Sequence, residues 1–228
     1  MKPATRRVVA ELRAAADPSR LAGMARVGIN VERTLGVSVP DLRKLGRRFG
    51  PDHALALDLW QTGIHEARIL ASMADDPGQV TRAQMEEWVS DFDSWDVCDQ
   101  VIGNLFERTP FAMSVARAWT KRPEEFVKRA GFVMIAERAV HDRTSPDTTF
   151  STWFPVIRFG ATDERNYVKK AVSWSLRQIG KRNPDLNAAA ITEAEALTTL
   201  SVPSARWVGH DALRELRLEE TQRRLRTG

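Results

Sequence analysis

The sequence predicts an all-α protein, a HEAT-like helical-repeat solenoid of antiparallel helix pairs with a concave basic groove. Three features lead to it. Apolar residues recur at three- and four-residue spacing along the 228-residue chain, and no segment shows the period of two that a half-buried strand needs. Short breaker segments separate the periodic stretches, so neighbouring helices should pack as antiparallel hairpins. About twelve helices in such pairs give roughly 35–45 residues per pair, the repeat length of HEAT-type arrays. A globular orthogonal bundle is the competing layout. No low-complexity linker interrupts the chain, so residues 1–228 are expected to form a single domain.

Helices are expected at 4–16, 39–49, 53–60, 64–74, 81–90, 95–107, 111–120, 124–140, 148–158, 163–181, 186–198 and 204–225. The first carries no apolar run of the secretory kind, which points to a cytoplasmic protein. "LGVSVP" opens the second: Ser38 can cap it, Asp41 follows three residues on, and Pro40 suits a first turn. Its Leu42, Leu45 and Phe49 form a buried side, while Arg43, Lys44, Arg47 and Arg48 project the other way. "DDPGQ" separates 64–74 from 81–90.

In 95–107, Asp93 or Ser94 can cap, and Val97, Cys98, Val101, Ile102 and Leu105 make the apolar side. Trp95 and Asp99 stand four apart as neighbours on one flank, with Gly103 next and Asp96 farther round. "RTP" and "KRP" bound 111–120, and 124–140 is apolar almost all round, the mark of a central element. Arg129 lies on its apolar side and needs a partner: an acid such as Asp99 or Glu137, or an anionic ligand. "TSPD" and "FGATD" bound 148–158. In 163–181, Thr162 can cap, and Val168, Ala171, Val172, Ser175, Leu176 and Ile179 gather on one side. Lys170, Trp174, Arg177 and Lys181 gather on the opposite side, an indole within a cationic stripe. "KRNPD" and "LSVPS" introduce the last two helices.

Composition narrows the function. Hydrophobic residues make up 43% of the chain without any run long enough to span a bilayer, so no membrane role is expected. Cys98 is the only cysteine and the four histidines are scattered, so neither a disulfide, nor a thiolate cluster, nor a metal site is expected; Cys98 reads as a small buried apolar residue. Net charge is +4, and only seven of the 34 basic residues are lysine. Arginine's planar fork suits phosphate and carboxylate partners. Two helices with a cationic face point to a polyanion; an interaction scaffold with incidental basic faces is the plainer alternative.

Five segments together resemble the DNA alkylation repair enzyme family, the AlkD-like DNA glycosylases built of HEAT-like repeats. They are "LGVSVPDLRKL" (35–45), "HEARILA" (65–71), "SWDVCDQV" (94–101), "KRAGFVMIA" (128–136) and "DERNYVKKAVSWSLRQIGKRNP" (163–184). The resemblance spans about two-thirds of the chain, from Leu35 to Pro184. It implies a catalytic aspartate at Asp99, tryptophans at Trp95 and Trp174, and an arginine at Arg129, with Arg138 in the same segment. One departure stands out: the family often has an aromatic doublet where this chain has Ser94 before Trp95.

The implied activity is excision of cationic N3- or N7-alkylated purines, 3-methyladenine and 7-methylguanine, from double-stranded DNA in base excision repair. The implied enzyme is monofunctional, needs no cofactor, acts as a monomer and works at the bacterial nucleoid. The backbone-binding residues expected on this reading are Arg43, Lys44, Arg47, Lys170, Arg177 and Lys181. The resemblance also implies a grip on the duplex backbone without a wedge residue. The alternative is a HEAT-like module of the same fold that binds the DNA backbone without chemistry.

Overall fold

The computed structural model describes residues 1–227, so Gly228, the last residue of the expected domain, lies outside the described residues. Among these the chain is all-helical and divides into two compact units, residues 1–112 and the described residues from 113 on. No helix among them is long and apolar enough to cross a membrane.

The first unit contains α1 (Pro3–Ala14), α2 (Leu21–Arg26), α3 (Val39–Gly46), α4 (His53–Trp60), α5 (His65–Ala74), α6 (Arg82–Ser90) and α7 (Trp95–Asn104). The short α2 is not among the expected helices; it has no buried residue, so its apolar pattern is too weak to read. Ser38 caps α3 as expected, its hydroxyl accepting from the Asp41 amide at 3.3 Å. This helix stops at Gly46, three residues short of the expected end, and only Leu42 of its apolar side is fully buried. Trp60 and Trp88 stack with ring centroids 4.1 Å apart, 3° from parallel, and knit α4 to α6.

Helix α5 is the hub of the unit and packs on α3, α4 and α7. Its first residues carry two buried polar groups. Glu66, 1% exposed, accepts the main-chain N–H groups of Leu35, Gly36 and Val37 at 2.9, 2.7 and 3.2 Å. This carboxylate neutralises three inward-facing donors of a loop that has no helix or strand to satisfy them. Gly36 makes that turn possible: its φ is +84°, and a Cβ there would lie 2.1 Å from the Asp17 carbonyl oxygen.

His65, beside it, reaches α7: its Nε2 lies 2.8 Å from Asp96 Oδ2. Burial pushes the His65 pKa down, but the hydrogen bond and charge of Asp96 outweigh it and hold the value above its ordinary 6.5. Burial pushes Asp96 up, and His65 with the Ser94 hydroxyl brings it below its ordinary 3.8. The two groups are therefore an ion pair at mildly acidic pH, between the ordinary values of the carboxyl group and the imidazole.

The second unit runs through α8 (Ala112–Trp119), which starts at the boundary, α9 (Glu125–His141), α10 (Asp147–Ser151), α11 (Phe154–Gly160), α12 (Asn166–Gly180), α13 (Pro184–Thr198), α14 (Pro203–Leu216) and α15 (Glu219–Thr227). Two expected helices are each split. Residues 148–158 break because Pro155 cannot donate to the preceding turn and instead sits in the first turn of α11. Residues 204–225 break at Arg217 and Leu218, where Gln222 Nε2 folds back onto the Leu216 carbonyl at 2.7 Å. The expected start of α12 at 163 moves to Asn166. Asp163 is taken by Arg165 Nε at 2.9 Å and Lys128 Nζ at 3.0 Å in a turn ahead of the helix, and Thr162 bonds the Phe159 carbonyl instead of capping.

The repeat period appears as a register. Helix α12 packs between α9 and α14. Arg129 meets Tyr167, Ser173 meets Asp211 and Arg177 meets Glu215, each pair 38 residues apart. A constant offset along successive turns means that the paired helices run parallel, as equivalent members of stacked pairs do. In the first unit the offset from α5 to α7 is shorter, 31 at His65–Asp96 and 32 at Ser72–Asn104.

Two predictions test these supports. Gly36→Ala is expected to destabilise by about 2 kcal/mol or more in urea unfolding. Gly23→Ala in α2, where an added methyl meets nothing within 4 Å, should change stability little. The raised His65 pKa makes its stabilisation complete below 6.5 and lost as pH rises through the folded value; the Asp96 side is lost only as pH falls through a value below 3.8. The urea midpoint gap between wild type and His65→Gln should therefore be wider near about pH 5.5 than near about pH 8.5. An equal gap at both would mean that the pair does not ionise as described.

Candidate functional site

Helix α7 turns its apolar side fully into the core: Val97, Cys98, Val101 and Ile102 are each 0% exposed. Trp95 and Asp99, on the flank, are half-buried. Trp95 is held from outside the helix, its indole Nε1 donating to the Val27 carbonyl at 3.1 Å. Ser94 occupies the capping position without capping: its hydroxyl is spent on Asp96 Oδ1 at 2.6 Å. Asp93 accepts from Asn30 Nδ2 at 2.9 Å. The start of α7 is thus clamped by the 27–30 segment on one side and by His65 on the other. The carboxylate one turn on, at Asp99, is carried by a helix that cannot roll freely.

In the second unit, α9 is buried on nearly every side, as its all-round apolar sequence predicts. Arg129 is 6% exposed, and its Nη1 donates to the Tyr167 carbonyl at 2.7 Å. Glu137, one of the acids that could pair with it, lies 3.6 Å from His141 Nδ1. The expected faces of α12 hold residue by residue: Val168, Ala171, Val172, Ser175, Leu176 and Ile179 are buried, Lys170 is exposed and Trp174 half-buried.

A cavity of about 420 Å³ brings Arg129, Lys170, Trp174 and Arg177 together. Gln178 completes its α12 wall, and Trp207 and Asp211 add a wall from α14. The far half of the cationic stripe is neutralised. Glu215 takes both Arg177 and Lys181, the latter at 2.6 Å, and Arg177 Nε lies 3.6 Å from Asp211. Burial raises the Glu215 pKa, but Lys181 and Arg177 hold it below the usual carboxylate value. A phosphate reaching Arg177 or Lys181 must displace this carboxylate.

On α3 and just past its end, Arg43, Lys44 and Arg47 are exposed as expected. Lys44 pairs with Asp41 at 2.9 Å, while Arg43 and Arg47 border a shallow cavity of about 260 Å³. Arg48, on the same face, reaches Glu11 at 2.7 Å. Among the described residues no group of three or more His, Cys, Asp or Glu side chains could hold a metal ion.

Trp207 and Asp211 are not among the residues that the sequence singles out. A signal exists: Ala205, Val208, Ala212 and Leu216 mark the buried face of α14, and Trp207 falls off it, as Trp174 falls off the face of α12.

The model of the DNA alkylation repair enzyme family matches residues 8–207. An uncharacterized protein of Listeria innocua, Lin0241, is 24% identical over 170 residues, which cover 73% of this chain and 74% of that protein. A solved structure from "a new family of proteins related to the HEAT-like repeat DNA glycosylases with affinity for branched DNA structures" superposes with a TM-score of 0.77 at 17% identity, over 92% of this chain and 95% of that one. That likeness shows the fold, a HEAT-like repeat. The family match covers most of the sequence, and the chain belongs to the DNA alkylation repair enzyme family.

Proposed function

We propose that the protein is a monofunctional alkylpurine DNA glycosylase that releases 3-methyladenine and 7-methylguanine from double-stranded DNA as the opening step of base excision repair. The observation that carries this reading is the half-buried flank of α7, where Asp99 sits one turn beyond Trp95 on a clamped helix. Membership of the family supports it.

The chemistry suits a single carboxylate. A purine alkylated at N3 or N7 is cationic, so when its N-glycosidic bond breaks the bonding pair neutralises the ring, and no general acid is needed. The sugar left behind develops positive charge at C1′. Asp99 stabilises that charge and orients the water whose oxygen bonds to C1′; the water's proton passes to the carboxylate or to solvent. Hydrolases whose leaving group would otherwise depart as an anion need a second carboxyl group to protonate it. Trp95 and Trp174 offer π faces to a cationic nucleotide, and Arg129 offers a guanidinium to a backbone phosphate. Arg43, Arg47 and Lys170 supply exposed positive charge for the backbone. The protein acts as a cytoplasmic monomer without a cofactor.

A second reading is favoured by one finding: the solved structure with this fold is described by its affinity for branched DNA. On that reading the chain binds a DNA backbone and cuts no glycosidic bond.

Asp99→Asn should bind methylated duplex as wild type does while base release falls by about 10²-fold or more. Unchanged release would remove Asp99 from the mechanism. Lys170→Ala is expected to lower the slope of log affinity against log salt by about one, and Lys181→Ala, whose ammonium is already neutralised, by less. Equal slopes for both variants and wild type would place the DNA elsewhere.

A further inference from the structure

Most cations of the second unit are spent. Arg158 grips Glu193 with contacts of 2.8 and 2.6 Å, Arg165 holds Asp163 at 2.6 Å, and Arg177 and Lys181 share Glu215. Arg117 and Lys121 differ. Arg117 lies in the last turn of α8 and Lys121 in the turn just past its end; both are exposed, and among the described residues neither has a carboxylate partner. Both line a cavity of about 560 Å³, and no acidic side chain shares its wall. The uncompensated charge is also held in place: the Arg117 guanidinium stacks over the indole of Trp153, 4.4 Å from the ring centroid, and that indole is itself 2% exposed. Stacking fixes the plane of the fork and leaves its edge to meet a ligand. Thr149 brings a hydroxyl group to the same wall, while the Thr152 hydroxyl is turned onto the Thr149 carbonyl at 2.9 Å.

We propose that this cavity is a binding site for a phosphate ester. Two cations four residues apart in the chain, one of them a planar fork, match the charge and the oxygen array of a phosphoryl group, and the Thr149 hydroxyl supplies a further donor. Its size falls within the range of small-ligand sites, about 300–1,000 Å³, so more than the phosphoryl group can enter. None of its residues belongs to the flank of α7 or to the cationic stripe of α12, so it is a site apart from the proposed chemistry. The ester has two natural sources: a mononucleotide, or the backbone of a second DNA segment. The site does not depend on the glycosylase reading.

The test uses full-length protein and the double variant Arg117→Ala/Lys121→Ala, whose altered side chains are exposed and need not disturb the core. Adenosine monophosphate is titrated while the Arg117 Nε–H signal, assigned by its loss in Arg117→Ala, is followed by NMR. In parallel, a four-way DNA junction and a linear duplex of equal length are titrated at several salt concentrations. A shifted Arg117 signal, with mononucleotide affinity lost in the double variant, supports the site with a free nucleotide as its ligand. A junction affinity that falls at least about tenfold, with a salt slope smaller by about two, supports it with backbone phosphate as its ligand. A double variant within twofold of wild type in both titrations overturns it. Excision of 7-methylguanine from a short duplex should be unchanged in the double variant. If wild type excises nothing, the proposed function fails, while the two titrations still decide the phosphate-ester site.

Discussion

How α7 is turned decides how Asp99 is presented. A helix with four fully buried apolar residues is fixed in depth by the hydrophobic effect, but a small roll about its axis costs little apolar area. The buried His65–Asp96 pair supplies what burial does not. A charge pair in a place that excludes water tolerates little misalignment, because each partner left alone carries the full cost of desolvation. Ser94 adds a second bond to the same carboxylate, and the Val27 carbonyl accepts from the Trp95 indole. The result is one acid, Asp99, presented at half depth by a helix whose rotation is set. Glu66 works beside it on the same helix as His65, binding the 35–37 loop through its main chain.

The second unit uses a different device. Its α12 and α14 run parallel, with Ser173–Asp211 and Arg177–Glu215 both 38 residues apart, and Arg129 of α9 meets Tyr167 of α12 at the same separation. Where the neighbour is an acid, cations are neutralised, as at Arg177 and Lys181. Where it is an indole, cation and aromatic face share a wall: Lys169 Nζ stands 5.3 Å from the Trp207 ring, and Trp207 in turn borders the cavity that holds Trp174 and Arg129. Four of the seven tryptophans, Trp60, Trp88, Trp119 and Trp153, fill the core. Trp95, Trp174 and Trp207 do not, and each has its place beside polar or cationic groups.

Much of this is legible in the sequence, for a physical reason. At 100° per residue a helix writes its buried face into spacing, so the two sides of α12, the core side of α7 and the all-round burial of α9 can be read directly. Capping is also local, and Ser38 stands where its chemistry requires. What depends on partners 30 or so residues away cannot be read. The Glu66 nest, the His65–Asp96 pair and the neutralisation of Arg177 by Glu215 all join segments whose pairing only the fold decides. The breaks at Pro155 and after Leu216 lie between. Pro155 is visible as a helix-starting residue inside an expected helix, whereas the second break rests on a return hydrogen bond from Gln222 that no spacing reveals.

On the proposed mechanism, one aspartate on a clamped helix suffices to break the glycosidic bond of a base that is already charged. The decisive experiment gives purified wild-type protein a duplex with a single 7-methylguanine and follows both products, the free base by chromatography and the remaining strand by its alkali-labile site. Free 7-methylguanine and abasic sites should form in equal amounts, with turnover unaffected by a chelator. Duplex that is bound but still carries its methylated base after prolonged incubation would contradict this chemistry and leave a DNA-binding protein in place of an enzyme.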